Sequence, residues 1–492
     1  MKKLYIKALA ALAITGSVAS CGDSFLDTDM YDAIDINTGL NNVTNIGYAV
    51  NGAYNRLYRY YFAGNYATSI GDIASDISYW NTKTGHFNAI YQFIPTPDDT
   101  YLYYIWNYGY KVADNTARII KAGNELYAGA TPEEQAELDL YLAEAYALRA
   151  YGHFVLVNVF GHQIKVNGTD YSSQPGIVVV SDPIPAGAQV SRSTVGDAYT
   201  SIINDLKSSL NHFANAGGDK GSMFYMNPAA VHGLLSRVYL YMENYADAAT
   251  EAQAALDLKG ITSLVTTADE YKALYNYGQS NSESFFALAI TQTENWSANS
   301  CGTLWSTYNY SPSPYLKSIM AAGDVRRAVW GEGAGSTEEQ PVFNGGKFAA
   351  FAFGNPAYGT NYLINAPEMF LNQAEAYAKL GQITPAQNAL LTVAKRNPAI
   401  TSVSDLPSTA DGLMAFIKEE RARELFQEGL RLYDLRRWGQ PANAYATGAP
   451  DVNFFVKNFD LSNIVFPIPA DEINAGYGVE QTPNWNTAFP TM

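Results

Sequence analysis

A mainly α-helical fold is predicted by three features of this sequence. Helix-start signals precede long periodic runs, a tyrosine–alanine pattern recurs later in the chain with the same internal spacing, and strand-like runs are few and short. The clearest start is Thr131-Pro132-Glu133-Glu134, a capping box with proline at the first helical position, and Thr384-Pro385-Ala386-Gln387 repeats the device. Asn227-Pro228 marks a third start. These signals and the apolar periodicity predict helices over 41–62, 100–124, 132–158, 193–211, 228–242, 245–258, 366–380, 385–396 and 412–438. Strand-like runs are confined to 176–180, 284–290 and 464–468.

Ahead of the first helix, residues 1–20 read as an export signal. Lys2, Lys3 and Lys7 precede an apolar stretch from Ala8 to Ile14 that is too short to span a membrane. Val18-Ala19-Ser20-Cys21 then has the form of a bacterial lipobox, so Cys21 is the expected lipidation site. Two or three acyl chains anchor stably where one does not, at about 0.8 kcal/mol per buried CH₂. With Cys21 acylated, Cys301 has no disulfide partner and is expected to be a small core or loop residue.

The recurring pattern pairs Tyr239 with Tyr377 and Ala248 with Ala386. The spacing is that of tetratricopeptide helix pairs, in which alanine lets two helices approach closely. An insertion from about 260 to 365, rich in Gly, Ser, Asn and aromatics, separates the two copies. Irregular insertions on a helical scaffold commonly carry function. The chain therefore divides into the signal 1–20, an N-terminal region 21–225 and a C-terminal region 226–492, the last two expected to pack as one unit.

Charge narrows the ligand. Removal of residues 1–20 leaves 28 basic against 47 acidic residues, a net charge of −19. Such a surface repels nucleic acid and other polyanions. Catalytic and cofactor patterns are missing from the sequence. The five histidines are scattered without metal-ligand spacing, no GxSxG elbow occurs, and Gly331–Ser336 fits neither a dinucleotide nor a phosphate loop. Asp98-Asp99 imitates a glycosidase pair, but with 47 acidic residues such neighbours are expected. No cofactor is predicted. The helix ending in Glu419–Gly439 carries the spaced pairs Glu419–Arg423, Glu428–Arg431 and Asp434–Arg437, read as a structural ion network in preference to an anion site.

Aromatic residues in polar loops are the best candidates for ligand contact. Tyr79, Trp80 and Asn81 lie just ahead of His86 and Phe87, and the insertion holds Trp296, Asn299, Trp305 and Tyr308. A pyranose ring presents polarised C–H groups that lie flat on an aromatic face, while neighbouring amides bond its hydroxyls. These seven residues are the candidate glycan-binding set. The cluster Tyr101, Tyr103, Tyr104 and Trp106 is assigned to helix packing.

Several segments in order along the chain resemble the SusD/RagB family. They are Cys21–Asp27, the run around Trp106, Tyr110 and Asn115, Ala143–Gly161, Ser191–Leu206, Asp324–Arg327, the pair Glu368 and Glu375, and above all Glu419–Gly439 followed by Phe466–Pro469. Gln163-Ile164 and Asn365 depart from the pattern at scaffold positions. The resemblance implies a SusD-like α-helical fold with four tetratricopeptide-like helix pairs. It implies a lipid-anchored, surface-exposed outer-membrane protein that binds glycan beside a SusC-like TonB-dependent transporter, with both aromatic regions facing the ligand. Peptide capture, as in RagB-like members, is the nearest alternative. A surface hydrolase and a protein-binding tetratricopeptide adaptor are more distant ones.

Overall fold

The computed structural model describes residues 39–276, 281–308, 310–338, 341–445, 454–460, 463–487 and 489. The export signal and Cys21 lie outside the described residues. Sixteen α-helices and eight short strands occur among them. The N-terminal part runs α1 (Val43–Tyr58), α2 (Tyr66–Ile73), β1 (Ser78–Trp80), α3 (Asn88–Tyr91), α4 (Thr100–Tyr127), α5 (Pro132–Phe160), β2 (Lys165–Val166), β3 (Thr169–Asp170) and α6 (Val195–Ala216). Next come α7 (Pro228–Tyr241), α8 (Tyr245–Lys259), α9 (Ala268–Leu274), β4 (Ser284–Ala287), α10 (Cys301–Trp305), β5 (Tyr310–Pro312) and α11 (Pro314–Ile319). The last part holds β6 (Tyr362–Asn365), α12 (Ala366–Lys379), α13 (Ile383–Ala394), α14 (Ala410–Glu424), α15 (Arg431–Arg437), β7 (Ala442–Tyr445), β8 (Phe454–Phe459) and α16 (Ala470–Asn474).

Local chemistry sets many of these boundaries. Thr131 and Glu134 close a reciprocal capping box on α5, Thr194 and Asp197 do so on α6, and Asn227 caps α7 through its side chain. Neighbouring helices then pack side by side: α4 on α5, α5 on α6, α7 on α8, and α12 on α13, with α8 and α12 joining two of the pairs. Ala248 of α8 and Ala386 of α13 are fully buried, as close helix packing requires. One hydrophobic core runs through these layers from Ile46 to Phe489. The strands form four antiparallel pairs, β1–β5, β2–β3, β4–β6 and β7–β8.

Four expectations need correction. Thr384 does not cap a helix: the chain turns at Gly381, with φ of 72°, and α13 begins at Ile383 with no side-chain cap bond, so Thr384 and Pro385 lie inside its first turn. The runs 176–180 and 464–468 are extended but are not strands, because their backbone N–H groups bond elsewhere. Val178 N donates to Tyr110 Oη at 2.9 Å and Val180 N to His153 Nε2 at 3.2 Å, while Ile468 N donates to Gln481 Oε1 at 3.0 Å. The single helix expected over 412–438 is two helices, α14 and α15. Between them Gln427 and Gly429 have φ of 69° and 74°. A Cβ on Gly429 would lie 2.0 Å from the Thr68 carbonyl oxygen, so α2 and this turn approach at a distance that only glycine allows.

That break also rearranges the expected ion pairs. Asp434–Arg437 forms at 2.8 Å and Glu419–Arg423 at 3.3 Å. Glu428 and Arg431 part company: Glu428 accepts from Lys347 at 2.6 Å and Arg431 from α15 donates to Asp76 at 2.7 Å. Around them lies a buried network. Arg326 bonds Asp324, Glu420 and Glu424, Arg396 bonds Glu283 and Glu424, Arg421 bonds Asp434 and Asn372, and Arg437 bonds Glu375. Each of these guanidiniums faces carboxylates, which leaves none of the four open to an anionic ligand.

Candidate functional site

The two aromatic regions, far apart in the chain, are joined by one strand pair. In β1–β5, Ser78 faces Pro312, Tyr79 faces Ser311 and Trp80 faces Tyr310. Cross-links extend the junction. Thr84 Oγ1 donates to the Tyr308 carbonyl at 3.3 Å, and Tyr310 Oη donates to the His86 carbonyl at 2.8 Å. These bonds hold the His86 imidazole flat on the Tyr308 ring, with centroids 3.8 Å apart and planes 9° from parallel. Both residues are half-buried. Burial lowers the pKa of His86, so its imidazole is neutral near pH 7.

A row of tyrosines stands near this stack. Tyr101, Tyr104 and Tyr108 share one stripe of α4 at helical spacing. The chain leaves α1 at Arg59 in extended conformation, which turns Tyr60 and Tyr61 toward that stripe. Tyr61 stacks on Tyr104 at 4.0 Å and 24°, and lies 4.9 Å from Tyr108 and 4.0 Å from Tyr60. Tyr66, at the start of α2, meets Tyr101 edge-on at 4.8 Å, and Tyr101 stacks on Phe87 at 3.8 Å. Phe87 follows His86 directly, so the row reaches the His86–Tyr308 stack. Tyr60, Tyr61, Tyr66, Tyr101 and Tyr104 are all half-buried, with the Lys111 ammonium over Tyr108 at the far end. The neighbouring Tyr60 hydroxyl, and burial after it, raise the pKa of Tyr61, which keeps its hydroxyl protonated.

The candidate residues divide under this geometry. Tyr79, Asn81 and Tyr308 are half-buried beside the junction, and Asn299 is exposed. The three tryptophans do not stand clear of the core, although their sequence neighbours are polar. Trp80 is 5 % exposed, its Nε1 donating to the Thr84 carbonyl at 2.9 Å and its ring against Tyr91. Strand alternation explains it, since Ser78 and Trp80 point inward and Tyr79 outward. Trp305 is 1 % exposed in α10, edge-on to Phe426 at 5.0 Å. Trp296 is 8 % exposed and tilted over Tyr58 at 4.4 Å. Asn299 meets that corner through its backbone, its carbonyl accepting from Asn65 Nδ2 at 2.8 Å.

The packing role expected for Tyr101, Tyr103, Tyr104 and Trp106 holds fully for Trp106 and in part for Tyr101 and Tyr104, which pack against the core on one side. Trp106 is 3 % exposed and bonds Glu472 through Nε1 at 3.0 Å. The three tyrosines keep part of their rings at the surface. A signal in the sequence points to them: Tyr60, Tyr61 and Tyr66 supply hydroxyl-bearing rings where a purely internal helix contact has no need of them.

Chemically, the face offers flat rings, hydroxyls and a neutral imidazole. Asp99 beside it is engaged as the α4 cap, accepting from the Tyr101 and Leu102 amides. Cys301 is buried, and burial pushes its thiol up to about 12. No group of His, Cys, Asp or Glu able to hold a metal ion occurs among the described residues. No helix among them is long and apolar enough to cross a membrane.

Residues 23–240 match a SusD-like family model described as starch-binding and associating with the outer membrane, and residues 358–485 match the SusD family model. None of the curated proteins matches the chain. Solved structures do. A SusD superfamily protein from Bacteroides thetaiotaomicron aligns with a TM-score of 0.78 and 23 % identity over 90 % of this chain and 100 % of its own. A putative sugar binding protein from Bacteroides vulgatus aligns at 0.79 and 25 % identity over 91 % and 100 %. A SusD superfamily protein from the same species aligns at 0.77 and 24 % over 92 % and 100 %.

Proposed function

The chain belongs to the SusD/RagB family, and we propose that it captures neutral oligosaccharide or polysaccharide at the cell surface, without chemistry of its own, and delivers it to a SusC-like TonB-dependent transporter. The family is one of carbohydrate-binding proteins associated with the outer membrane. The observation that carries the proposal is the aromatic face, in which the His86–Tyr308 stack meets the row from Tyr60 to Tyr108. Such a surface matches the C–H faces and hydroxyls of successive sugar units, and the acidic chain disfavours anionic ones. In this reading Tyr79, Asn81, Asn299 and Tyr308 contact the glycan, and Trp80, Trp296 and Trp305 hold the loops that present them. Cys21 carries the lipid anchor.

An array of neutral glycans, acidic glycans and peptides, probed with the chain from residue 21 onward, tests the cargo. Binding to neutral glycans is expected; binding to peptides alone would move the assignment to a RagB-like peptide carrier. Gentle solubilisation at native expression tests the partner, where a TonB-dependent barrel is expected to co-purify.

A further inference from the structure

A cavity that shares no residue with the tyrosine face opens beyond the C-terminal end of α5. Its volume is about 390 Å³, within the range of small-molecule sites. His162 enters it directly after the α5 cap residue Gly161. Arg436 fixes that helix end by donating to the Asn158 and Gly161 carbonyls at 2.6 and 2.8 Å. The loop after β3 brings Tyr171 parallel to the His162 ring, 5.6 Å away and 12° from coplanar. Gln174 adds an amide, and the segment 482–487 supplies Thr482, Asn484 and Trp485.

Two polar atoms there lack a partner. Thr482 is 3 % exposed, yet its Oγ1 has no hydrogen-bond partner among the described residues, and the buried His162 Nδ1 has none either. An unmade bond at a buried hydroxyl is costly, so a ligand that supplies one gains affinity. No charged side chain lines the cavity, and the nearby Arg436 and Arg192 guanidiniums are engaged with backbone carbonyls, so a carboxylate, phosphate or ammonium finds no direct charged partner there. Burial, with Arg436 and Arg192 nearby, lowers His162 to about 4, so its ring is neutral and offers one donor and one acceptor. The amides and the hydroxyl are likewise two-way groups.

We propose that this cavity is a second saccharide site, taking a single neutral pyranose unit that stacks on Trp485 and bonds Thr482 Oγ1 and the His162 ring. The assignment rests on the cavity's own residues and stands apart from the reading of the tyrosine face.

Saturation-transfer NMR on the chain from residue 21 onward, with the methyl glycosides of glucose, galactose and mannose and with glucuronate as the charged probe, tests it. At least one neutral glycoside is expected to bind with Kd on the order of 1 mM, an affinity of about 4 kcal/mol, and glucuronate is not. Trp485→Ala and the near-isosteric Thr482→Val should each weaken binding tenfold or more, Thr482→Val with an unchanged melting temperature. Tyr308→Ala should leave this binding intact. The proposal is overturned if no neutral glycoside binds, if binding survives both cavity variants, if glucuronate binds equally, or if Tyr308→Ala alone abolishes it.

Discussion

The α14–α15 region and the tyrosine face are both dense in residues suited to ligands, and they differ in what remains unpaired. In the first, the guanidiniums of Arg326, Arg396, Arg421 and Arg437 meet carboxylates inside the core. In the second, rings from the segment after α1, from α2 and from α4 meet other rings on one side and remain half-exposed on the other. A ligand needs groups whose own contacts are incomplete. Residue type alone does not reveal that: these four guanidiniums are closed by carboxylates and the tyrosine rings stay open, although either composition suits recognition.

The comparison breaks most sharply if the closed region tolerates damage. Arg396→Ala leaves Glu283 and Glu424 buried beside a lost cation and should cost about 3–5 kcal/mol. A urea melt would show it as a large fall in midpoint, and an unchanged midpoint would remove the contrast. Trp305→Ala should cost a similar amount, about 3–5 kcal/mol, because the ring is 1 % exposed and its loss leaves a cavity. Glycan affinity of the folded Trp305 variant should stay near that of the parent.

The open region should respond the other way. Tyr308→Ala and Tyr61→Ala should each weaken glycan binding by about 1–3 kcal/mol, by analogy with bases stacked on aromatic rings, and shift the melting temperature little. Calorimetric titration beside a thermal melt separates the two responses. Parent-like affinity in both variants would place the ligand elsewhere.

The remaining effect is electrostatic and depends on pH. Asp72 packs against the Gly429 turn, where burial raises its carboxyl to about 7 despite bonds from the Gly429 and Arg431 amides. A carboxyl raised on folding binds its proton in the folded state first. Its contribution is present below the unfolded pKa near 4 and is lost as pH rises through about 7. Between pH 4 and 7 the melting temperature should fall more steeply for the parent than for Asp72→Asn. Equal slopes would show that Asp72 ionises alike in the folded and unfolded chain.

Much of the scaffold was legible locally. Thr131 and Asn227 cap the helices that follow them, Thr384 does not, and the Tyr239 and Tyr377 copies mark helix pairs. These signals act between residues a few positions apart, so a linear reading captures them. The break at Gln427–Gly429 had a local signal in Gly429, but the close approach that demands glycine there comes from the Thr68 carbonyl, far away in the chain. The aromatic regions were found, but which of their rings are buried was not legible. Trp80 looked exposed among Tyr79 and Asn81 because strand β1 exists only through β5, and that pairing turns its ring inward.

The sequence alone therefore determined the mainly helical class, the helix starts, the acidic character and the family. Each of these is carried by local spacing, by summed charge or by motifs read in order. Only the tertiary structure decided which rings stay open. Exposure is set by partners distant in the chain, such as Tyr310 for Trp80 and Phe426 for Tyr310's neighbour Trp305. An aromatic side chain buries whichever face those partners cover, and the remaining face is the one a ligand can reach.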